Sequence, residues 1–314
     1  FNNNSVYANA NGLDFYSQNA GIAVNNAGSI TNSGTGVGGT RLYAQIGANV
    51  TSVTQNSATS NLYLMNFGTT PGAGNAAAPN NAYTGPTNIN AGILYAGYGA
   101  ALSSTGSIVF GGGTLMYGGN NTDLSAKFAG TSSNFKVDTN NQSVTFASNL
   151  VANGARGLDK YGPGTLNGST GTDLTFNGTG AFTYSGAMQR LSFNAGDGTL
   201  NSASTFASLA PRAPGAIGNF AAATVLTDTS NAPLAAGSNN PGLFFNSADY
   251  TRYDTGSNQF RAVVYGTDAN APAAVAAGTT IGVNDATQDV QIGGAISAQP
   301  TAAVNTLKIA GGFN

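Results

Sequence analysis

Residues 81–119 read NAYTGPTNINAGILYAGYGAALSSTGSIVFGGGTLMYGG, and their punctuation decides the fold. Apolar residues alternate with polar or small ones in short runs, the period of a strand with one buried face. Glycines close each run, because they tolerate the positive φ that a sharp corner needs. The alternation predicts Ile89, Ala91 and Ile93 pointing inward with Asn88 and Asn90 outward. Gly111–Gly113 then make a corner, and Ile108, Phe110, Leu115 and Tyr117 enter the next layers of a stack.

The same pattern runs outward from this stretch. Phe135 and Val137 alternate with polar neighbours, as do Val144 and Phe146, Leu174 and Phe176, Leu191 and Phe193, Val290 and Ile292, and Leu307 and Ile309. Ile89 to Ile108, Leu174 to Leu191 and Val290 to Leu307 are separated by roughly 17 to 19 positions, near the length of one solenoid coil. A β-sandwich also uses short strands and turns. It has no reason to reuse one glycine signature, yet NAGIL (90–94) and GGGTL (111–115) return in kind as GPGTL (162–166) and AGDGTL (195–200). A stack of coils needs the same bend at the same corner. The expected fold is all-β, a right-handed parallel β-helix. Residues 1–80 read as a less regular β-rich segment available for subunit contacts, 81–206 as a solenoid block, 207–242 as a Pro/Ala-rich excursion, and 243–314 as the solenoid's continuation.

Composition agrees. Only 7% of the 314 residues are charged, against about a quarter in an ordinary soluble domain. All acidic residues are Asp, and the chain has no Glu, His, Cys or Trp. Gly, Asn, Ser and Thr are poor helix formers, while a hydrophobic fraction of 41% supplies a core. A net charge of −2 without a basic patch gives nucleic acid or anionic lipid little to hold. No apolar run reaches the about 18 residues of a membrane-spanning helix. The opening Phe1-Asn2-Asn3-Asn4 lacks the features of a secretory leader, as expected of a mature form after signal removal.

With these elements in place, YTGPTNINAGIL (83–94) followed by GSIVFGGGTLMYGG (106–119) resembles the passenger-associated repeat of bacterial autotransporters. FKVDTNNQSVTFASNL (135–150) and RGLDKYGPGTL (156–166) are similar to its companion strand and turn. NSADYTRYDTGSNQFRAVVY (246–265) and AAVNTLKIAGG (302–312) resemble segments found between such repeats in very large surface proteins. The resemblance implies a parallel β-helix exported to the bacterial cell surface or beyond. It departs from the family in ending at Gly311-Gly312-Phe313-Asn314 without a membrane barrel.

Chemistry is constrained by the missing residue types. Without His or Cys there is neither a Ser-His-Asp arrangement nor a usual zinc site. Polysaccharide cleavage would have to run on Asp. The closest groupings are Asp249 with Arg252 and Asp254, and Asp285 with Asp289; Asp249 and Asp254, five apart, would face opposite sides of a strand, and all of these read as turn aspartates. NAGDGTL (194–200) lacks the spacing of a calcium-binding nonapeptide, so no cofactor is expected, with calcium left open at an Asp-rich turn. The glycines at 111–113 lack the following Lys of a phosphate loop. Phe244, Phe245, Tyr250, Tyr253, Phe260 and Tyr265 read chiefly as core, with Tyr250 and Tyr253 as candidate glycan contacts.

Stacked coils expose unpaired strands at their ends, and neither Phe1 nor Asn314 resembles a cap. The expectation is a non-enzymatic extracellular structural protein, a homo-oligomer or head-to-tail homopolymer forming a bacterial surface fibre or layer. The FNNNSVYANANG segment is a candidate for pairing with a neighbour. The alternatives are an adhesin for glycans or other cells, and an Asp-based polysaccharide-cleaving β-helix enzyme.

Overall fold

The computed structural model describes residues 4, 12–15, 23–65, 81–98, 101–103, 105–129, 133–148, 150, 157–168, 173–184, 187–201, 203–222, 224–226 and 239–310. The protein is a β-solenoid in which parallel strands stack rung upon rung. Helix among the described residues is confined to one 3-10 turn, Ser125–Lys127, and none is long and apolar enough to cross a membrane. The chain divides into two compact units, Phe1–Gly180 and Ala181–Asn314.

In the first unit each turn of the chain contributes a strand to two principal faces. One face stacks Gly28–Asn32, Val50–Gln55, Thr87–Ile89, Ile108–Phe110 and Phe128–Ala129, all parallel. The other stacks Leu13–Phe15, Thr40–Leu42, Leu62–Leu64, Ile93–Ala96, Thr114–Tyr117, Phe135–Asp138, Gly157–Tyr161 and Asp173–Asn177 in the same sense. A short third side starts with Ala23–Val24 beside Gln45–Ile46. There the Asn81 side chain accepts from the Ile46 amide at 2.7 Å and donates to the Ala101 carbonyl. From Phe135 the strands Ser143–Thr145 and Thr165–Gly168 form a new parallel pair.

The expected inward positions Ile89, Ile108, Phe110, Leu115 and Tyr117 are all buried. Two details differ from the sequence reading. Leu94, not Ile93, points inward, and Ala91 and Ile93, both expected inward, are half-exposed. The cause is the turn at Gly92 (φ +58°), which settles so closely on the rung below that a Cβ there would lie 2.3 Å from the Ser57 carbonyl oxygen. The turn resets the phase of the alternation. The register also places Ile108 opposite Thr87, and Phe110 opposite Ile89, so this coil is longer than the spacing of the two isoleucines implies. Val290 and Leu307, by contrast, do pair directly.

Residues 28–64 are as regular a part of the stack as residues 81–119. Their pattern looked loose because polar side chains occupy inward rows. Asn32, Gln55, Ile89 and Phe110 succeed one another in register, and the first two are fully buried. Asn32 Nδ2 donates to Gln55 Oε1 at 2.8 Å and to the Ser60 carbonyl at 2.6 Å. Thr40 Oγ1 donates to Asn32 Oδ1 at 3.2 Å, while Gln55 Nε2 donates to the Ser57 and Ser60 carbonyls. Each side chain of this network thus has a partner, which is what makes its burial tolerable. Higher up, the core turns aromatic: Phe110, Phe128, Phe135 and Phe146 pack with centroids 5.0–5.2 Å apart, mostly edge to face.

In the second unit, Ala187–Ala195 pairs with Thr205–Leu209, and Asp197–Leu200 with Ile217–Phe220, both parallel. Thr224–Leu226 and Asn239–Phe245 extend these two rows. The first part of the 207–242 stretch is therefore inside the stack, its prolines at the corner between Thr205–Leu209 and Ile217–Phe220; residues 227–238 lie outside the described residues. Residues expected to continue as parallel coils instead form an antiparallel meander, Asn239–Phe245, Asp249–Asp254 and Gln259–Ala262. Its last strand closes on Thr224–Leu226. The turns explain the reversal: Asn246, Ser247 and Asn258 adopt positive φ of 53–54°, the conformation of tight hairpin loops. Parallel pairing resumes between Asp285–Ile292 and Val304–Ile309.

Candidate functional site

The solenoid's outer faces are where a ligand has access, and the register fixes what each presents. On the longer face of the first unit, the outward residues of seven successive rungs lie in one row. They are Asp14, Arg41, Tyr63, Tyr95, Met116, Asp138 and Tyr161. Their orientation follows from their neighbours: Leu62 and Leu64, Leu94 and Ala96, Leu115 and Tyr117 are all buried, while Tyr63, Tyr95 and Met116 between them are half-exposed. A period of two leaves the central residue no other side.

The row has an aromatic centre with ionic flanks. The Tyr63 and Tyr95 rings lie 5.3 Å apart, tilted by 46°. Arg41 holds its guanidinium over the Tyr63 ring at 5.3 Å and meets Asp14 Oδ1 at 3.2 Å, a cation–π contact capped by an ion pair. Burial, joined by the neighbouring Tyr98 and Tyr63 hydroxyls, raises the Tyr95 hydroxyl above its ordinary pKa, so it stays protonated and able to donate at neutral pH. Beyond Met116, Asp138 accepts the Asn140 amide at 2.8 Å in the turn where Asn140 and Asn141 take positive φ. Asp159 accepts from Asn134 at 2.9 Å, and burial raises its pKa.

Lys160 is the most unusual ionisable group in this unit. It stands in an inward row between Val137 and Phe176 and is fully buried. Its Nζ reaches the corner, donating to Thr139 Oγ1 at 3.0 Å and to the Tyr161 and Gly162 carbonyls at 3.1 and 2.7 Å. Burial lowers its pKa to about 8, against the opposing pull of the Asp138 carboxylate. With three acceptors and no exposed surface, the ammonium joins two rungs. Lys136 and Lys127 do likewise, donating to the Gly112 carbonyl at 2.9 Å and the Ser103 carbonyl at 2.6 Å.

The sequence candidates in the second unit are engaged structurally. Tyr253 is 2% exposed, packs on Phe260 and donates to Asn258, so it has no free ring face for a sugar. Tyr250 is half-exposed, but its ring stacks on Phe244 and its hydroxyl donates to the Leu307 carbonyl. Asp249 pairs with Lys308, whereas Asp254 caps its turn through Gly256 and Ser257 and meets Arg261. Arg261 forms a fork with both Asp268 oxygens, at 2.8 and 2.6 Å, and Arg252 donates to the Ala269 carbonyl. Asp285 caps Thr287, while buried Asp289 accepts from Asn305 and Thr306. The carboxylates proposed as pairs point to different partners. Among the described residues no group of three or more metal-ligating side chains comes together.

The tyrosine row was missed in the sequence. Its signal is a Leu-Tyr step following an inward leucine, at Leu62-Tyr63 and Leu94-Tyr95. Leu62 and Leu94 are directly opposed, but 32 residues apart, so no short period reveals them. Compared with family models, with curated proteins and with solved structures, the chain matches none.

Proposed function

We propose that the chain is a non-enzymatic structural β-solenoid of a bacterial cell surface or extracellular layer, assembling through contacts between copies. The observation that carries this reading is the use of the charged and polar side chains. Lys127, Lys136, Lys160 and Lys308 are all the lysines of the chain, and each joins one segment of the stack to another. Of the carboxylates weighed for catalysis, Asp254 and Asp285 cap turns, Asp249 completes an ion pair, and Asp289 accepts from Asn305 and Thr306 on the adjacent strand. Such a molecule uses its polar chemistry to hold rungs in register, as a load-carrying scaffold requires. Subunit contact is supported by Val304–Ile309, where Leu307 and Ile309 are 41% and 64% exposed. Exposed apolar residues on a paired strand mark a surface suited to further β-pairing.

Electron microscopy of the purified chain, with sedimentation over a range of concentrations, tests the proposal. Elongated particles that lengthen with concentration are expected. Uniform monomers at high concentration, or release of reducing or unsaturated ends from polysaccharides, would overturn it.

A further inference from the structure

On the reading that copies of the chain meet along Val304–Ile309, we infer that Tyr250 is a brake on that meeting, its hydroxyl filling the place that an incoming strand's amide must take. The register fixes which backbone groups are on offer. Val290 pairs with Leu307 and Ile292 with Ile309, and the Ala310 amide donates to the Ile292 carbonyl. Successive residues of a parallel strand turn their N–H and C=O groups to alternate sides. Those of Leu307 and Ile309 therefore point away from Asp285–Ile292. Among the described residues no strand pairs with that side. A backbone side left open in this way is a template for another chain.

The Leu307 carbonyl on that side is already engaged. It accepts from the Tyr250 hydroxyl at 3.2 Å, across 57 positions of sequence. The hydroxyl is steadied by its own ring, which stacks on Phe244 with centroids 5.3 Å apart and a tilt of 28°. Phe244 stands opposite Tyr250 in the paired strands of the meander. The neighbouring residue carries a second tie, Asp249 to Lys308. Two consecutive side chains of Asp249–Asp254 thus grip two consecutive residues of Val304–Ile309. Both grips are made by side chains, because the backbone of Asp249–Asp254 is paired with Asn239–Phe245 and Gln259–Ala262. The two ties act in opposite senses. Asp249 draws a charge away from the edge, whereas Tyr250 sets its hydroxyl, with the ring behind it, on the side where the next strand would lie about 4.8 Å away. It must swing off before a neighbour covers Leu307 and Ile309, which are 41% and 64% exposed. One side-chain hydrogen bond exchanged for a backbone one raises the threshold for pairing without forbidding it.

The test is sedimentation of the full chain over a range of concentrations, comparing the parent with Tyr250→Phe, which keeps the ring on Phe244 and removes only the hydroxyl. The concentration at which elongated particles form is expected to fall about two- to tenfold, the worth of one net hydrogen bond. Tyr253→Phe is the control. Its hydroxyl donates to Asn258 within the same meander, and the variant's threshold should match the parent's. Circular dichroism melts check that each variant is folded. Should Tyr250→Phe melt early, Phe244→Leu, which leaves the hydroxyl but removes the ring it stacks on, carries the same expectation. An unchanged or raised threshold in Tyr250→Phe, or an equal fall in Tyr253→Phe, overturns the brake and leaves the assembly reading in place. Uniform monomers of the parent and of Tyr250→Phe alike, at every concentration, overturn both.

Discussion

Lys160 shows how a single residue is reconciled with a position that should be apolar. Its inward neighbours in register are Val137 and Phe176, yet its stem fills that space while its head reaches the corner carbonyls. Burial holds its pKa at about 8, below the about 10.4 of a lysine in the unfolded chain. Between these values the unfolded state binds more protons, so this group's contribution to stability rises as pH increases from 8 to 10. The full difference is about 3 kcal/mol. Melting of the parent should therefore gain on that of Lys160→Met across this interval, and a constant gap between the two would refute the assignment. Gly92 tests close packing in the same way. Gly28 also has positive φ, 129°, but nothing lies near its missing Cβ, whereas Gly92 abuts the Ser57 carbonyl. Both alanine substitutions incur backbone strain of about 1–3 kcal/mol. Gly92→Ala should cost more than Gly28→Ala, read as the larger fall in melting temperature.

At the scale of strands and turns, the stability of the lower rungs rests on a polar network where an apolar core was expected. Asn32→Leu removes the donor to Gln55 and Ser60 and the acceptor for Thr40, all of them buried. Leaving several such groups unsatisfied should cost about 2–4 kcal/mol in chemical denaturation, despite the added apolar surface; a neutral or stabilising result would show that the network is dispensable. This network also marks where sequence reading ran out. Alternation correctly assigns Ile89, Phe110 and Leu115 because their inward neighbours are polar-flanked hydrophobes. It cannot assign Asn32 or Gln55, since an inward amide has the composition of an outward one. The hairpin turns at Asn246-Ser247 and Asn258 fail for another reason. Asn and Ser serve the corners of parallel coils and antiparallel hairpins alike, and only the partner strand decides between them. The aromatic set read chiefly as core, and Tyr253 is core, but only the partner strand shows that Tyr250 stacks on Phe244.

Within the second unit, an ionic clamp ties the meander to the segment that follows it. Asp268 receives both arms of the Arg261 fork, and Asp254 meets the same guanidinium. Hydrogen bonds from Arg261 and from the Val264 amide hold the Asp268 carboxyl below its ordinary pKa. A carboxylate with depressed folded pKa stabilises the fold above its unfolded pKa of about 3.9, and that stabilisation is lost as pH falls through the folded value. Acid should therefore loosen this unit below about pH 4, and Arg261→Gln should remove much of the acid dependence while lowering stability at pH 7. An unchanged acid transition in that variant would place the titrating groups elsewhere.

At the scale of the whole molecule, the low charge that limits chemistry also permits association. Most proteins keep exposed strands apart with charged side chains, but here Val304–Ile309 presents Leu307 and Ile309 to solvent with Lys308 drawn aside to Asp249. The lysine best placed to repel another strand is thereby occupied within its own chain. Two substitutions separate this edge from the rest of the fold. Ile309→Lys and Leu307→Lys place new charges at positions already exposed, where folding is little affected. Together they should raise the concentration at which elongated particles form by at least about tenfold, measured by sedimentation, while leaving the melting profile close to the parent's. Asp249→Asn frees Lys308 without adding charge to the strand, and should weaken assembly in the same direction but to a smaller extent. If the lysine pair assembles as readily as the parent, contacts between copies lie on another face.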